Sequence, residues 1–327
     1  MTARARIAAV GAGRMGRGLA HVFAYAGHRF DLIDLKERDA DGRQTLAGAV
    51  DADVRRSLGA MVDHGALEAG ALDPVLDRIN LVEAERADQA LATADVIFEA
   101  VPEVMTAKRD ALARIGRAAS SAAIVASATS TIMVDDLAPM IAGADRFLNA
   151  HWLNPAFLVP LVEISPGKDT ARDTVERLSA LLTSVGKVPV ECAASPGFIV
   201  PRLQALIMNE AARMIEDGVA TAEQIDQATR FGLGFRFATM GVVEFIDWGG
   251  GDILHYASAY LADALGSDRF AAPEIVARNM KNGAIGLKTG RGFHDYEGRD
   301  IDAYQRETMG RFLELLQHYD LLKPPVR

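Results

Sequence analysis

Apolar and polar positions fall into two kinds of stretch along this chain. Short apolar runs of strand length occur at Ile7–Val10, Phe30–Ile33, Ile79–Val82, 94–101, Ile124–Ala126, Phe147–His151, Leu161–Ile164 and Val188–Val190. Runs of this length, apolar on successive positions, are the pattern of strands buried on both faces. Between them lie segments with apolar residues on a helical period: Met15 to Tyr25, Met105 to Ala119 and Arg172 to Gly186. Residues 41–77 carry no strand signal and are rich in Ala, Leu, Asp and Arg, which predicts a helical insertion, a hairpin of two helices. After Cys192-Ala-Ala-Ser-Pro-Gly197 no strand pattern recurs. Helices are expected over Phe198–Asp217, with Ser195 as N-cap and Pro196 at the first helical position, and after the capping box Thr221-Ala-Glu-Gln224. Two more are expected over Ile253–Leu265 and Asp302–Tyr319.

The first of these junctions is the most informative. The strand Ile7–Val10 runs into Gly11-Ala-Gly13-Arg-Met15-Gly16, a helix follows, and the second strand ends on Asp34, 23 positions after Gly11. Gly11 suits a tight turn, Gly13 lets a pyrophosphate approach the backbone, and Gly16 lets the helix pack close to the strand. Asp34 stands where a carboxylate binds the adenosine ribose. The fold expected is α/β, a Rossmann-type doubly wound, mostly parallel sheet with a helical insertion. It would occupy residues 1–192, followed by an all-helical domain over 193–327.

Composition narrows the class. Half of the 327 residues are hydrophobic, the net charge is −9 and there is one cysteine, Cys192. A negative chain argues against nucleic acid or an anionic membrane as partner. A single cysteine excludes an internal disulfide framework and a cysteine-rich metal site; no metal is expected. No leader or membrane-length apolar run is apparent, so a cytoplasmic location is expected.

Ligands of open α/β sheets bind at the carboxyl ends of the strands, where Ser130, His151 and Glu163 are expected. Removing a hydroxyl proton during hydride transfer needs a base near neutral pH, for which imidazole is suited. A carboxylate behind the imidazole fixes its tautomer, and a hydroxyl holds the substrate oxygen. By spacing alone, a histidine such as His151 is more often a satisfied core residue. Cys192 as a nucleophile for aldehyde oxidation, and 248–252 (WGGGD) as either a mobile loop or a turn between helices, are further readings of the residues. Asp135-Asp136 reads as the polar start of a helix.

Several motifs resemble those of the 3-hydroxyacyl-CoA dehydrogenase family: GAGRMG with Asp34, EAVPE followed by Lys108, ATST, and HWLNP leading to PLVE. SPGFIV with a following arginine, and LKTGRGFHDY, add to the resemblance, which covers nearly the whole chain. It implies NAD as cofactor, held by Gly11, Gly13, Met15, Gly16 and Asp34. It implies His151 as general base, Glu163 as its partner and Ser130 at the substrate hydroxyl. Glu103, Lys108, Asn154 and Lys288 match positions that line cofactor or substrate. A homodimer through the helical domain is also implied.

Two departures bear on the substrate. Pro201 stands where the family has an active-site asparagine, and five residues into the expected helix it would remove an N–H and kink the segment. The insertion lacks the lysine run that meets CoA phosphates in acyl-CoA members, leaving Arg55 and Arg56. The stretch NPAFLVPLVE also resembles the carnitine and gulonate dehydrogenase branch. Together these favour a free 3-hydroxy acid slightly over a CoA thioester. An aromatic or heterocyclic alcohol or aldehyde is the alternative substrate, and an NAD-binding protein without turnover is the alternative class.

Overall fold

The computed structural model describes residues 4–325. Contacts divide the chain into two compact units, Met1–Ile207 and Met208–Arg327. Among the described residues the first unit holds one eight-stranded sheet. Its strands are β1 (Ile7–Val10), β2 (Phe30–Ile33), β3 (Ile79–Val82), β4 (Val96–Glu99), β5 (Ile124–Ser127), β6 (Phe147–Trp152), β7 (Leu161–Pro166) and β8 (Val188–Glu191). The order is β3-β2-β1-β4-β5-β6-β7-β8, the doubly wound order through β6 with two strands added. Neighbours are parallel except β6 and β7. The link 153–160 is too short for the crossover that a parallel pair needs.

Helices α1 (Arg14–Tyr25), α2 (Ala40–Asp63), α3 (Leu72–Leu76), α4 (Ala87–Thr93), α5 (Met105–Ala118), α6 (Val134–Leu137) and α7 (Arg172–Ser184) connect the strands. Strands β1, β4 and β5 are buried along their whole length, which is why their sequences are apolar at every position. Successive side chains serve opposite faces. Val96 and Phe98 pack with Leu19, Phe23 and Leu178 on one face, whereas Ile97 packs with Leu112 and Ile115 on the other. The insertion is one long and one short helix with a small core of its own, Val54, Leu58 and Val75 against Ala24. Helix α4, between β3 and β4, had no counterpart in the sequence reading.

Helix α8 (Val200–Glu216) carries the chain across the boundary between units, and α9 (Ala222–Ala228), α10 (Phe235–Phe237), α11 (Val242–Gly249), α12 (Gly251–Ala264), α13 (Glu274–Lys281) and α14 (Ile301–His318) follow. The capping box at Thr221 and Gln224 forms as expected. Helices α11 and α13 were not anticipated. Of the two readings of the glycine run after Trp248, the turn between helices is the one found: Gly250, at φ +107, forms a corner that separates two helices. Buried Asp247 accepts bonds from Phe293 N (2.8 Å), His294 N (2.7 Å) and the Tyr296 hydroxyl (3.2 Å), fastening the C-terminal motif to α11. None of the described helices is long and apolar enough to cross a membrane.

One boundary has chemical weight. The expected helix start at Pro196 is displaced, because Ser195–Ile199 is a turn in which Gly197 and Phe198 both have positive φ. Pro201 is therefore the second residue of α8, not the sixth of a longer helix. An N–H there has no partner within the helix, so proline costs no helical bond at this position and the expected kink has no cause.

Candidate active site

The glycine motif lies between β1 and β4, where the winding of the sheet reverses. Gly11 has φ +118, and an added Cβ would lie 2.4 Å from the Ala100 carbonyl oxygen. A Cβ on Gly16 would lie 2.0 Å from the Gly11 oxygen. Gly13 is different, with nothing within 4 Å of a Cβ, and no side chain caps α1. Uncapped amides facing open ground form a site for an anion, so these residues fit a pyrophosphate. Met15 packs against the core within the first turn. Asp34 follows β2 and borders a cavity of about 300 Å³ shared with Lys36, Arg38, Arg43, Leu81 and Val82. Its Oδ2 accepts from Arg38 Nε at 2.5 Å.

Glu103 and Lys108 come together differently from a shared ligand-lining surface. Lys108 is 1% exposed, and its Nζ lies 3.0 Å from Glu99 Oε2 and 3.2 Å from Glu103 Oε2. Glu99 is fully buried and also accepts from Val101 N and the Ser127 hydroxyl. Lys108 thus stands beneath the site, not in its lining. Glu103 fastens the loop after β5, accepting from the Thr129 hydroxyl, Ser130 N (3.2 Å), Thr131 N (3.0 Å) and the Thr131 hydroxyl (2.9 Å). Partial burial works against its charge, but the bonds from Thr129 and Thr131 and the Lys108 ammonium outweigh it and hold its pKa down to about 2. Ser130 sits exposed on the loop so held.

His151 and Glu163 are direct partners in the antiparallel register of β6 and β7. Glu163 is third in an antiparallel strand, so it does not lie at a carboxyl end as expected. The short link after β6 returns the chain beside His151. The His151 Nδ1 is 2.7 Å from Glu163 Oε2. The other oxygen, Oε1, accepts from Ile199 N at 2.9 Å and Val200 N at 2.8 Å, the amides that open α8. With Nδ1 so engaged, Nε2 is the nitrogen available for a proton.

Asn154 is exposed and borders a cavity of about 740 Å³ lined also by Arg14, Arg17, His21, Arg56 and Ser57. Of the two arginines of the insertion, Arg56 belongs to this cavity, whereas Arg55 is spent on Asp51 and Asp73. Arg14 and Arg17 lie inside or just after the glycine motif, and nothing in their spacing marked them as cavity residues. Lys288 belongs to the second unit, where its ammonium lies 2.8 Å from Asp252. Cys192 is a poor nucleophile: burial, then the charges of Glu163 and Glu191, push its thiol pKa up. Among the described residues no group of three or more His, Cys, Asp or Glu could hold a metal ion.

The carboxyl edge of the sheet that carries Gly11 and Asp34 also carries His151, so the glycine motif and a carboxylate-paired imidazole share one side of one domain. That layout is that of an NAD-dependent dehydrogenase. Residues 6–195 match the NAD binding domain of 3-hydroxyacyl-CoA dehydrogenase, and residues 197–296 match its C-terminal domain. The chain belongs to the 3-hydroxyacyl-CoA dehydrogenase family, and its cofactor is NAD. The 3-hydroxyadipyl-CoA dehydrogenase of Escherichia coli is 33% identical over 291 residues, 89% of this chain but only 58% of that longer protein. A solved structure of a 3-hydroxyacyl-CoA dehydrogenase from Archaeoglobus fulgidus matches with a TM-score of 0.75 at 30% identity, covering 98% of this chain and all of that one. The 5-formyl-3-hydroxy-2-methylpyridine 4-carboxylate 5-dehydrogenase of Mesorhizobium japonicum is 28% identical, over 92% of this chain and 94% of its own.

Proposed function

We propose that this chain oxidises the 3-hydroxyl of an L-3-hydroxyacyl-CoA thioester, with His151 as general base. Gly11, Gly13, Met15 and Gly16 would hold the dinucleotide, with Asp34 at its ribose, and the bound nicotinamide would supply the hydride acceptor. The remaining work belongs to side chains. Glu163 keeps the proton of the neutral imidazole on Nδ1, which leaves the Nε2 lone pair to take the hydroxyl proton, and it stabilises the imidazolium that forms. Ser130 holds the substrate hydroxyl from the loop that Glu103 fastens, and the Asn154 amide faces the acyl end.

The observation that carries the substrate is the 740 Å³ cavity beside Asn154 with its three arginines. The lysines missing from the insertion favoured a free hydroxy acid. Arg14 and Arg17 of α1 and Arg56 of α2 supply positive charge in their place, and Asp53 offsets only part of it. Guanidinium groups suit phosphates, and a compact hydroxy acid would leave most of this space to water. A small ring acid is the second reading, favoured by the likeness to the Mesorhizobium enzyme.

The test is NADH formation from 3-hydroxybutyryl-CoA, from free 3-hydroxy acids and from a hydroxymethylpyridine carboxylate. The thioester should lead by at least a hundredfold in kcat/KM, about 2.8 kcal/mol, and Arg56→Ala should raise its KM. A lead for either acid would replace the thioester, and no turnover on any would favour a binding protein. We further propose a homodimer through α8 and α12.

A further inference from the structure

The imidazole of His151 is held by more than its carboxylate. The ring of Phe198 lies flat against it, with centroids 5.1 Å apart and planes within 3°. Phe198 is 6% exposed and has φ +45, following Gly197 at φ +77. A bulky residue is disfavoured in the left-handed region and persists there when its surroundings over-determine it. The turn it completes has two products. It lays the aromatic ring on His151, and it aims the next two amides, Ile199 and Val200, at Glu163 Oε1. One bond at Nδ1 leaves an imidazole able to swing, because the torsion about its ring is broad. A flat neighbour removes that freedom.

We propose that Phe198 is a positioning residue for the general base, fixing the plane of the His151 ring and keeping water from one of its faces. The inference rests on the reading of His151 as base. Nothing in the ring of Phe198 transfers a proton, so its effect appears through His151. A reacting group displaced by an ångström can lose about a hundredfold in rate, and that bounds the size of the effect.

Three variants of the full chain separate the ring from the backbone. Phe198→Tyr keeps a flat ring, Phe198→Leu keeps apolar bulk without a plane, and Phe198→Gly removes the ring while suiting the left-handed turn. In the Tyr variant kcat should stay within about threefold of wild type. In the Leu and Gly variants it should fall roughly tenfold to a hundredfold, with substrate KM and NAD affinity little changed. A second readout does not depend on turnover: with labelled histidine, the ring-current shift of the His151 protons should persist in Tyr and vanish in Leu and Gly. Full kcat in Leu and Gly, alongside a dead His151→Gln, would overturn the positioning role and leave the base intact. Wild-type turnover in His151→Gln would instead sink the base reading itself. Equal losses in all three variants, with lowered thermal midpoints, would reduce Phe198 to a structural part and overturn the inference. Should the Gly variant fail to fold, the Leu and Tyr pair carries the comparison.

Discussion

Glu163 divides its carboxylate between two duties: Oε2 lies 2.7 Å from the His151 Nδ1, and Oε1 takes the first amides of α8. An amide at this position cannot accept at both ends. With its oxygen on the α8 amides, the NH₂ of a glutamine would face Nδ1 and force the imidazole proton onto Nε2, the wrong tautomer for a base. Glu163→Gln should therefore lose turnover while keeping the fold, because both sets of hydrogen bonds can still form with the other tautomer. His151→Gln should lower kcat by roughly 10² to 10⁴ with NAD affinity unchanged. Steady-state kinetics paired with NAD titration checks both.

Cofactor choice turns on Asp34 and Arg38. The carboxylate accepts hydrogen bonds from a ribose 2′-hydroxyl and repels a 2′-phosphate, so NAD should be preferred at least about tenfold, or 1.4 kcal/mol. Arg38 softens that preference by pairing with Asp34. Removing the carboxylate in Asp34→Ala frees the guanidinium, and the preference should narrow or invert. Binding of 2′,5′-ADP against AMP by calorimetry reads the same balance without turnover.

His21 links stability to pH. It is 2% exposed, its Nδ1 is 2.6 Å from the Ser57 hydroxyl, and its ring stacks on Phe157. Burial, helped by the charge of Lys187, pushes its pKa down from 6.5 to about 4. Between those values the unfolded chain binds the extra proton, so stability is complete above about pH 6.5 and declines as pH falls toward 4. The loss from this group should reach about 3 kcal/mol. Denaturant midpoints at pH 7.5 and 4.5 should differ accordingly, and His21→Asn should flatten the difference.

The proposed dimer rests on what α8 leaves uncovered. None of its 17 residues is buried, and Leu206 and Met208 are 65% and 68% exposed, as are Ile253 and Tyr260 of α12 at 61% and 71%. Sedimentation should give a particle of twice the 35.0 kDa chain, and Leu206→Asp should shift it toward monomer. A 35.0 kDa wild-type particle at micromolar concentration would refute the interface.

Much of this architecture was legible because buried parallel strands must be apolar throughout and the glycine motif constrains backbone directly. The pairing of His151 with Glu163 was legible through resemblance, yet its geometry was not. That geometry depends on the turn 153–160 making β7 antiparallel, and no local period encodes strand direction. Lys108 matched a ligand-lining position, but the sequence does not tell that its ammonium is buried on Glu99. Helices α11 and α13 were missed because they are short, eight residues each, and offer little more than two turns of period. Phe198 lies inside the SPGFIV motif. Only its backbone angle, invisible in a letter code, marks it out.

Pro201 remains the sharpest test of substrate. As the second residue of α8 it breaks no helical bond, so Pro201→Asn should fold normally and change chemistry alone. Restoring a side-chain amide should raise kcat on 3-hydroxybutyryl-CoA, by up to the roughly 3–4 kcal/mol that a donor at developing charge can supply. Unchanged kinetics would show that Asn154 or Ser130 already meets that need.

The buried pair of Glu99 and Lys108 restricts how this lineage can drift. Any single replacement of Lys108 by an apolar residue strands the Glu99 charge in the interior, at about 3–5 kcal/mol, a large share of the 5–15 kcal/mol typical of a whole fold. Neutral change at these positions therefore has to come in concert, an acid and a base exchanged together. In a saturation library, position 108 should be empty of tolerated single variants and regain them only in libraries where position 99 varies as well.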